Sequence, residues 1–213
     1  MRCGPGLVIR NRFLYNESMD RISLRLFHAS LSAFDEIDVS AGNPRSDFGP
    51  GFYTTTNWDQ SLDWGKKKAE RFNQKGFYVH VFDFDVKYPI LSKHFDKPDY
   101  EWLDTIADCR TYGTRLPFDI VSGPVADDSV FPTIQNYIQQ RKLPLADFEL
   151  RKLKNDTITR LRIESLFDQY VVISEKLIPA LKRIHIVTCN RSGRPLSGQW
   201  TPSRDNGKGG LHL

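Results

Sequence analysis

Residues 47–57 read Asp47-Phe48-Gly49-Pro50-Gly51-Phe52-Tyr53-Thr54-Thr55-Thr56-Asn57. The glycines and proline, continuing a Gly, Pro, Ser and Asn-rich run that starts at Ser40, are loop chemistry, whereas Phe52 to Thr55 are the aromatic and β-branched residues that favour a strand. Asn57 with Gln60 three residues on has the spacing of a capping box. Trp58, Leu62, Gly65, Ala69 and Phe72 then fall on one helical face, with Lys66, Lys67, Lys68 and Arg71 toward solvent. A loop therefore delivers a strand that runs into an amphipathic helix. Gly49-x-Gly51 is not a dinucleotide-binding fingerprint, because it opens an aromatic strand instead of a helix and lacks the third glycine.

Upstream, Ile22, Leu24 and Leu26 alternate with Ser23 and Arg25, which predicts a half-buried strand over 22–27 with His28 at its end. Downstream, 77–85 reads as the longest strand, with Phe77, Val79 and Val81 on one face. The pattern then predicts a helix over 98–109, a strand over 118–122, a helix over 130–140 capped by Ser129 and a helix over 145–153. A strand over 169–173, a short helix over 175–181 interrupted by Pro179 and a last strand over 184–187 follow. Strands and helices mix without βαβ alternation or an internal repeat, so the expected fold class is α+β. Residues 1–20 read as an irregular lead-in, 21–189 as the domain, and 190–213, rich in Gly, Pro and Ser, as a flexible polar tail.

A chain of 213 residues, 39% of them apolar and 26% charged, is long enough to bury a core without staples. No apolar run approaches the roughly 18 to 20 residues of a membrane span, so no membrane association is expected. No apolar segment of a secretory signal follows Arg2, Arg10 and Arg12, so the expected location is the cytoplasm, or a target cell reached by a specialised secretion system. Cys3, Cys109 and Cys189 are odd in number and far apart, and read as reduced thiols with no metal spacing. His80 faces away from Asp83 and Asp85 on their common strand, which also argues against a metal site. The 30 basic and 26 acidic residues are interspersed, so a net charge of +4 does not define a nucleic-acid binder.

Three segments carry a resemblance. Leu26-Phe27-His28-Ala29-Ser30 looks like a strand ending in His-Gly-Ser or His-Gly-Thr, and Gly49-Pro50-Gly51-Phe52-Tyr53 like a Gly-x-Gly-x-Tyr strand. Asp168-Gln169-Tyr170-Val171-Val172 looks like an Asn-Glu-Tyr-x-Val strand with Gln in place of Glu. In order and context they resemble the signature of the ADP-ribosyltransferase superfamily, in the His-Tyr-Glu branch that includes the poly-ADP-ribose polymerases and diphtheria toxin. The pattern over 47–57 is also similar to that of an uncharacterised bacterial family within this superfamily. The resemblance implies two facing, mainly antiparallel sheets with NAD in the cleft between them and helices outside. It also implies NAD as the substrate, with mono-ADP-ribosyl transfer to a protein or nucleic-acid acceptor, as for a bacterial toxin or effector with an antitoxin or immunity partner. The alternative is a catalytically weak or silent NAD or ADP-ribose binding module.

The resemblance assigns roles that suit cleavage of the nicotinamide glycosidic bond. His28 would hydrogen-bond a ribose hydroxyl of the adenosine half, and the backbone at Ala29 and Ser30 would hold the carboxamide. Tyr53, approached closely past Gly51, would stack on nicotinamide, with Ser61 lining that pocket. Arg45 and Phe48 belong to the loop that covers NAD in relatives, and Arg45 could meet the pyrophosphate bidentately. Gln169 would accept from the ribose 2-hydroxyl without the charge a glutamate supplies, at a cost on the order of 10²-fold in rate. Glu164, Asp168 and Glu175 are the nearby carboxylates that could stand in, although Asp168 points to the opposite sheet face when Gln169 faces the cleft. Taken singly, His28 reads as a structural histidine, Tyr53 as a half-buried aromatic, Gln169 as an exposed strand residue and Arg45 as a solvated loop arginine. The 123–128 segment reads as a turn in which Asp127 or Asp128 caps the next helix, with a substrate-facing role open.

Overall fold

A computed structural model describes residues 21–87, 89–126, 130–161, 167–198 and 200–202. Two sheets form its centre. The first contains β1 (Arg21–Ser30), β3 (Gly76–Lys87) and β7 (Leu181–Asn190), all antiparallel with β3 in the middle. The second has the order β2 (Phe52–Thr54), β6 (Asp168–Val172), β5 (Ile120–Pro124) and β4 (Ser92–His94). Its pairs are antiparallel except β4 with β5, which run parallel. The α+β expectation holds at this level. The mainly antiparallel arrangement is interrupted by β4, a strand absent from the hydrophobic pattern because Ser92, Lys93 and His94 give no apolar alternation.

Strand alternation sorts the core into three layers. Leu26, Phe52, Phe82, Phe84, Ile120, Tyr170 and Val172 interdigitate between the sheets. On the outer face of the first sheet, Phe27, Ala29, Val79, Val81 and Val187 pack with Ala69 of α1 (Trp58–Arg71). On the outer face of the second, Val121 and Val171 pack against α2 (Tyr100–Tyr112) through Trp102, Leu103 and Ile106. Ile134 and Tyr137 of α3 (Phe131–Gln140) join the same cluster, and α4 (Asp147–Arg160) adds Leu153 and Ile158. The sheets meet edgewise at one point. Phe27 N donates to Thr55 O at 2.8 Å and Thr55 N to Phe27 O at 3.0 Å, which holds β1 beside the end of β2.

Several boundaries differ for identifiable reasons. β1 continues through Ser30 because each residue finds a partner on β3, so His28 lies inside the strand instead of at its end. β7 spans Leu181–Asn190 because its residues pair with β3 on both sides of a bulge at Ile184, carrying Lys182, Arg183 and His185 along a strand that periodicity confined to 184–187. α2 runs from its Asp99 cap, which accepts from Trp102 N at 2.8 Å, to the left-handed Gly113, so Cys109 is interior and buried. The expected Ser129 cap and the Asp127 and Asp128 reading lie outside the described residues, and α4 is longer than its apolar pattern. At the α1 start, Asn57 Oδ1 accepts from Gln60 N at 2.9 Å, as the cap predicts, but Asn57 N donates to Thr55 Oγ1 at 3.0 Å and not to the Gln60 side chain. Phe72 falls just past the last helical turn and is 59% exposed. Lys68, expected in solvent, turns inward and donates to Ala29 O at 2.9 Å. The 3-10 helix Glu175–Ala180 contains Pro179. The stretch that composition assigns to the tail begins as a turn, with Asn190 N donating to Arg194 O at 2.9 Å, and Trp200 stacks on His185 at 4.9 Å.

Candidate functional site around the second strand

The β1 to Thr55 pairing sets His28 against β2. Its Nδ1 donates to Tyr53 O at 2.6 Å, and because a carbonyl can only accept, the proton sits on Nδ1 and Nε2 carries the lone pair. The ring stacks on Phe52 with centroids 4.5 Å apart. Burial pushes the His28 pKa down to about 3, the Lys68 ammonium pushes the same way, and the Tyr53 carbonyl opposes them. His28 is thus a neutral hydrogen-bond acceptor on the face of β1 that looks toward the second sheet.

Tyr53 points the other way, into the helix-covered layer. Its hydroxyl donates to Gly49 O at 2.7 Å and accepts from Phe48 N at 3.0 Å, tying the ring to the loop before β2, and burial raises its pKa. Gly49 is required there, since its φ of 75° is left-handed and a Cβ would overlap the Thr114 carbonyl. At Gly51 a Cβ would lie 2.6 Å from Val171 Cγ1, so only glycine lets the chain enter β2 flush with β6.

Gln169 stands opposite Gly123 on the Tyr53 face, two positions along from Val171, the partner of Tyr53. It is only 5% exposed, against the expectation of an exposed strand residue. Its Nε2 donates to Asp47 Oδ2 at 3.0 Å and to Pro124 O at 3.2 Å. Asp47 is also buried. Its Oδ1 accepts from Arg110 Nε at 2.9 Å and Nη2 at 2.6 Å, while Ala126 N donates to Oδ2 at 2.9 Å. Arg110 Nη2 also reaches Ala126 O at 2.7 Å. Loop, helix and two strands are therefore locked together through one desolvated ion pair. Asp47 and Arg110 are the residues that motif reading passes over. Asp47 sits inside the quoted motif, yet nothing local to it indicates an arginine 63 positions away.

The other expected residues fall as follows. Asp168 points to the opposite face, accepting from Thr55 Oγ1 at 2.9 Å and Thr56 N at 3.1 Å, and is not a substitute carboxylate. Glu175 starts the 3-10 helix and is exposed, while Glu164 lies outside the described residues. Phe48 is fully buried and stacks on Phe95 at 5.5 Å, which puts it in the core behind Tyr53. Arg45 is exposed on its loop. Ser61 is buried with its hydroxyl donating to Trp58 O at 2.6 Å, Ala29 O receives Lys68, and Ser30 Oγ accepts from Ser32 N at 3.3 Å. His28 and Tyr53 are thus joined through the main chain, and Tyr53 and Gln169 share a face, but the His28 ring lies on the other side of β2. Cys109, with its thiol pushed up to about 12 by burial, is a core residue and not a nucleophile.

Among the described residues no helix is long and apolar enough to cross a membrane. No curated protein and no solved structure matches the chain. Residues 24–183 match the family described as "Protein of unknown function (DUF3990)", and because this covers more than half of the sequence and takes in all three motif strands, the protein belongs to that family.

Proposed function

We propose that the protein is an NAD-using ADP-ribosyltransferase, cleaving the nicotinamide glycosidic bond and transferring ADP-ribose to a protein or nucleic-acid acceptor, in the manner of a bacterial toxin or effector. The observation that carries the reading is the convergence of the three motif strands on β2. His28 is bonded to the Tyr53 carbonyl, and Tyr53 and Gln169 lie on one face of adjacent strands. In this reading His28 Nε2 accepts from a ribose hydroxyl, Tyr53 supplies the aromatic surface for nicotinamide, and Gln169 accepts from the ribose beside the breaking bond. Both Nε2 hydrogens of Gln169 point at acceptors, so its amide oxygen is turned away from Asp47 and Pro124 and keeps the acceptor role of a glutamate without the charge. The nearest full negative charge, Asp47, is neutralised by Arg110, so positive charge on the ribose gains little from it.

The same contacts favour a second reading, a binding module that recognises NAD or ADP-ribose without turnover, because the Tyr53 hydroxyl and the Gln169 amide are both held by protein groups. Nicotinamide release from NAD by wild-type protein and Tyr53→Ala, with and without a bacterial lysate, tests the proposal. Release that disappears in Tyr53→Ala and rises with lysate supports transfer to an acceptor. Absence of release with retained ADP-ribose binding selects the module, and absence of both sinks the NAD reading.

A further inference from the structure

Phe27 gives both its N–H and its carbonyl to Thr55, so they lie on the edge of β1 that faces away from β3. In an antiparallel ladder every second residue turns its main-chain groups to the same edge, so Ala29 N and O follow those of Phe27. Beyond Thr55 the chain turns into α1, and among the described residues no strand covers that edge at Ala29. Lys68 of α1 takes the place instead, half-buried, with its Nζ donating to Ala29 O at 2.9 Å. Lys66 on the same helix pairs with Asp63, whereas among the described residues no carboxylate meets Lys68. Burial first, and then the neighbouring charge of Arg71, lower its pKa, as for an ammonium that has lost water without gaining an anion.

The place of this ammonium decides what it can recognise. Ser61 and Lys68 lie about two turns apart on one face of α1. In the NAD reading, Ser61 and the main chain at Ala29 border the substituent of the pyridine ring. A carboxamide held there needs a carbonyl to accept from its NH2 group, and Ala29 O already accepts from Lys68. Binding it sets two donors against one carbonyl and leaves the ammonium without an anion. A carboxylate has only acceptors. It takes the remaining Nζ hydrogens and the Ala29 N–H, keeps the bond from Lys68 to Ala29 O, and supplies the missing negative charge.

We infer that Lys68 is a specificity residue, selecting a pyridine dinucleotide that carries a carboxylate where NAD carries a carboxamide. The inference rests on the NAD reading for the place of the ring and changes only the group attached to it. Lys68 acts on binding and not on the glycosidic bond, and the roles given to His28, Tyr53 and Gln169 stay as they are.

The test is calorimetric titration of the full chain with NAD, with nicotinic acid adenine dinucleotide and with ADP-ribose. Wild type should hold the carboxylate dinucleotide roughly tenfold more tightly than NAD, the difference between a charge-assisted and a neutral hydrogen bond. That comparison needs no variant to fold. Lys68→Gln, which keeps a donor for Ala29 O and removes the charge, should abolish the preference, and Lys68→Arg should retain it. ADP-ribose lacks the ring and should bind wild type and Lys68→Gln alike. Equal affinity of wild type for the two dinucleotides, or a preference that survives in Lys68→Gln, overturns the inference and leaves the NAD reading standing. An ADP-ribose affinity that falls in Lys68→Gln as far as that of the carboxylate dinucleotide assigns Lys68 to the pyrophosphate and overturns the inference as well. Binding of none of the three ligands overturns both.

Discussion

Replacing Gln169 with glutamate restores the residue the motif ordinarily carries, and the structure predicts that this change alone harms the protein. The Gln169 Nε2 sits 3.0 Å from Asp47 Oδ2 and 3.2 Å from Pro124 O, so glutamate turns a donor between two acceptors into a third acceptor. Two carboxylates at that separation repel by about 5 kcal/mol at an effective dielectric of 20. Arg110, held at 2.6 Å by Asp47, returns part of this, which leaves a net loss on the order of 2 to 4 kcal/mol. For a chain of this size that is a fall in melting temperature of roughly 5 to 15 °C. The sign of the pH dependence follows. The new pair relieves itself by keeping one proton, so its folded-state pKa is raised above the ordinary carboxylate value of about 4.3. Gln169→Glu should therefore approach wild-type stability near pH 4.5 and lose ground as pH rises toward about 8. The double change Asp47→Asn with Gln169→Glu restores a donor-acceptor pair with the charge moved to residue 169, and should recover at least half of the loss. Under the proposed chemistry the double variant, but not the single one, releases nicotinamide faster, by on the order of 10²-fold. Thermal unfolding of the three proteins across this pH range is the assay. A Gln169→Glu protein as stable as wild type at every pH refutes the placement of Asp47 beside residue 169.

Other consequences are as direct. Arg110→Met strands the Asp47 carboxylate in the core and should cost about 3 to 5 kcal/mol by urea unfolding, far more than loss of an exposed pair such as Arg25 with Asp83. Gly49→Ala meets both a left-handed backbone and the Thr114 carbonyl, whereas Gly113→Ala meets only the left-handed backbone, with its nearest neighbour 3.5 Å off. The first should lose several kcal/mol and the second about 1 kcal/mol, and equal losses in unfolding would count against the loop geometry. His28 and His80 have pKa values lowered to about 3 and about 4, below the unfolded value of about 6.5, so the unfolded chain takes up protons that the folded one refuses. Stability should be full above about pH 6.5 and fall as pH drops toward 4, and His80→Phe should flatten part of that slope.

The sequence makes the segments of the site legible but not their facing. Local chemistry is enough to place β2 after a glycine loop, to cap α1 at Asn57 and to put Asp168 and Gln169 on opposite faces, because alternation and capping act over a few residues. It also identifies the long β3 strand and the order of the three motifs. Whether Tyr53 and His28 look into one space depends instead on the Phe27 to Thr55 pairing, a contact between chain segments with no signature in either. That pairing brings the His28 ring to Tyr53 O and not to the Tyr53 ring, since Tyr53 follows Phe52 and must point to the other face. The Asp47 to Arg110 pair is hidden for the same reason, and so is the inward turn of Lys68, which the helical pattern assigns to water. Burial of Gln169 follows from these non-local contacts. The helices over the second sheet close on the face that carries Tyr53 and Gln169, and the Asp47 network is what holds them there. Any ligand that uses both residues must work at the margin of this packed layer, while a ligand that uses His28 enters between the sheets. A molecule that touches all three has to straddle β2, because the His28 ring and the side chains of Tyr53 and Gln169 lie on opposite sides of it.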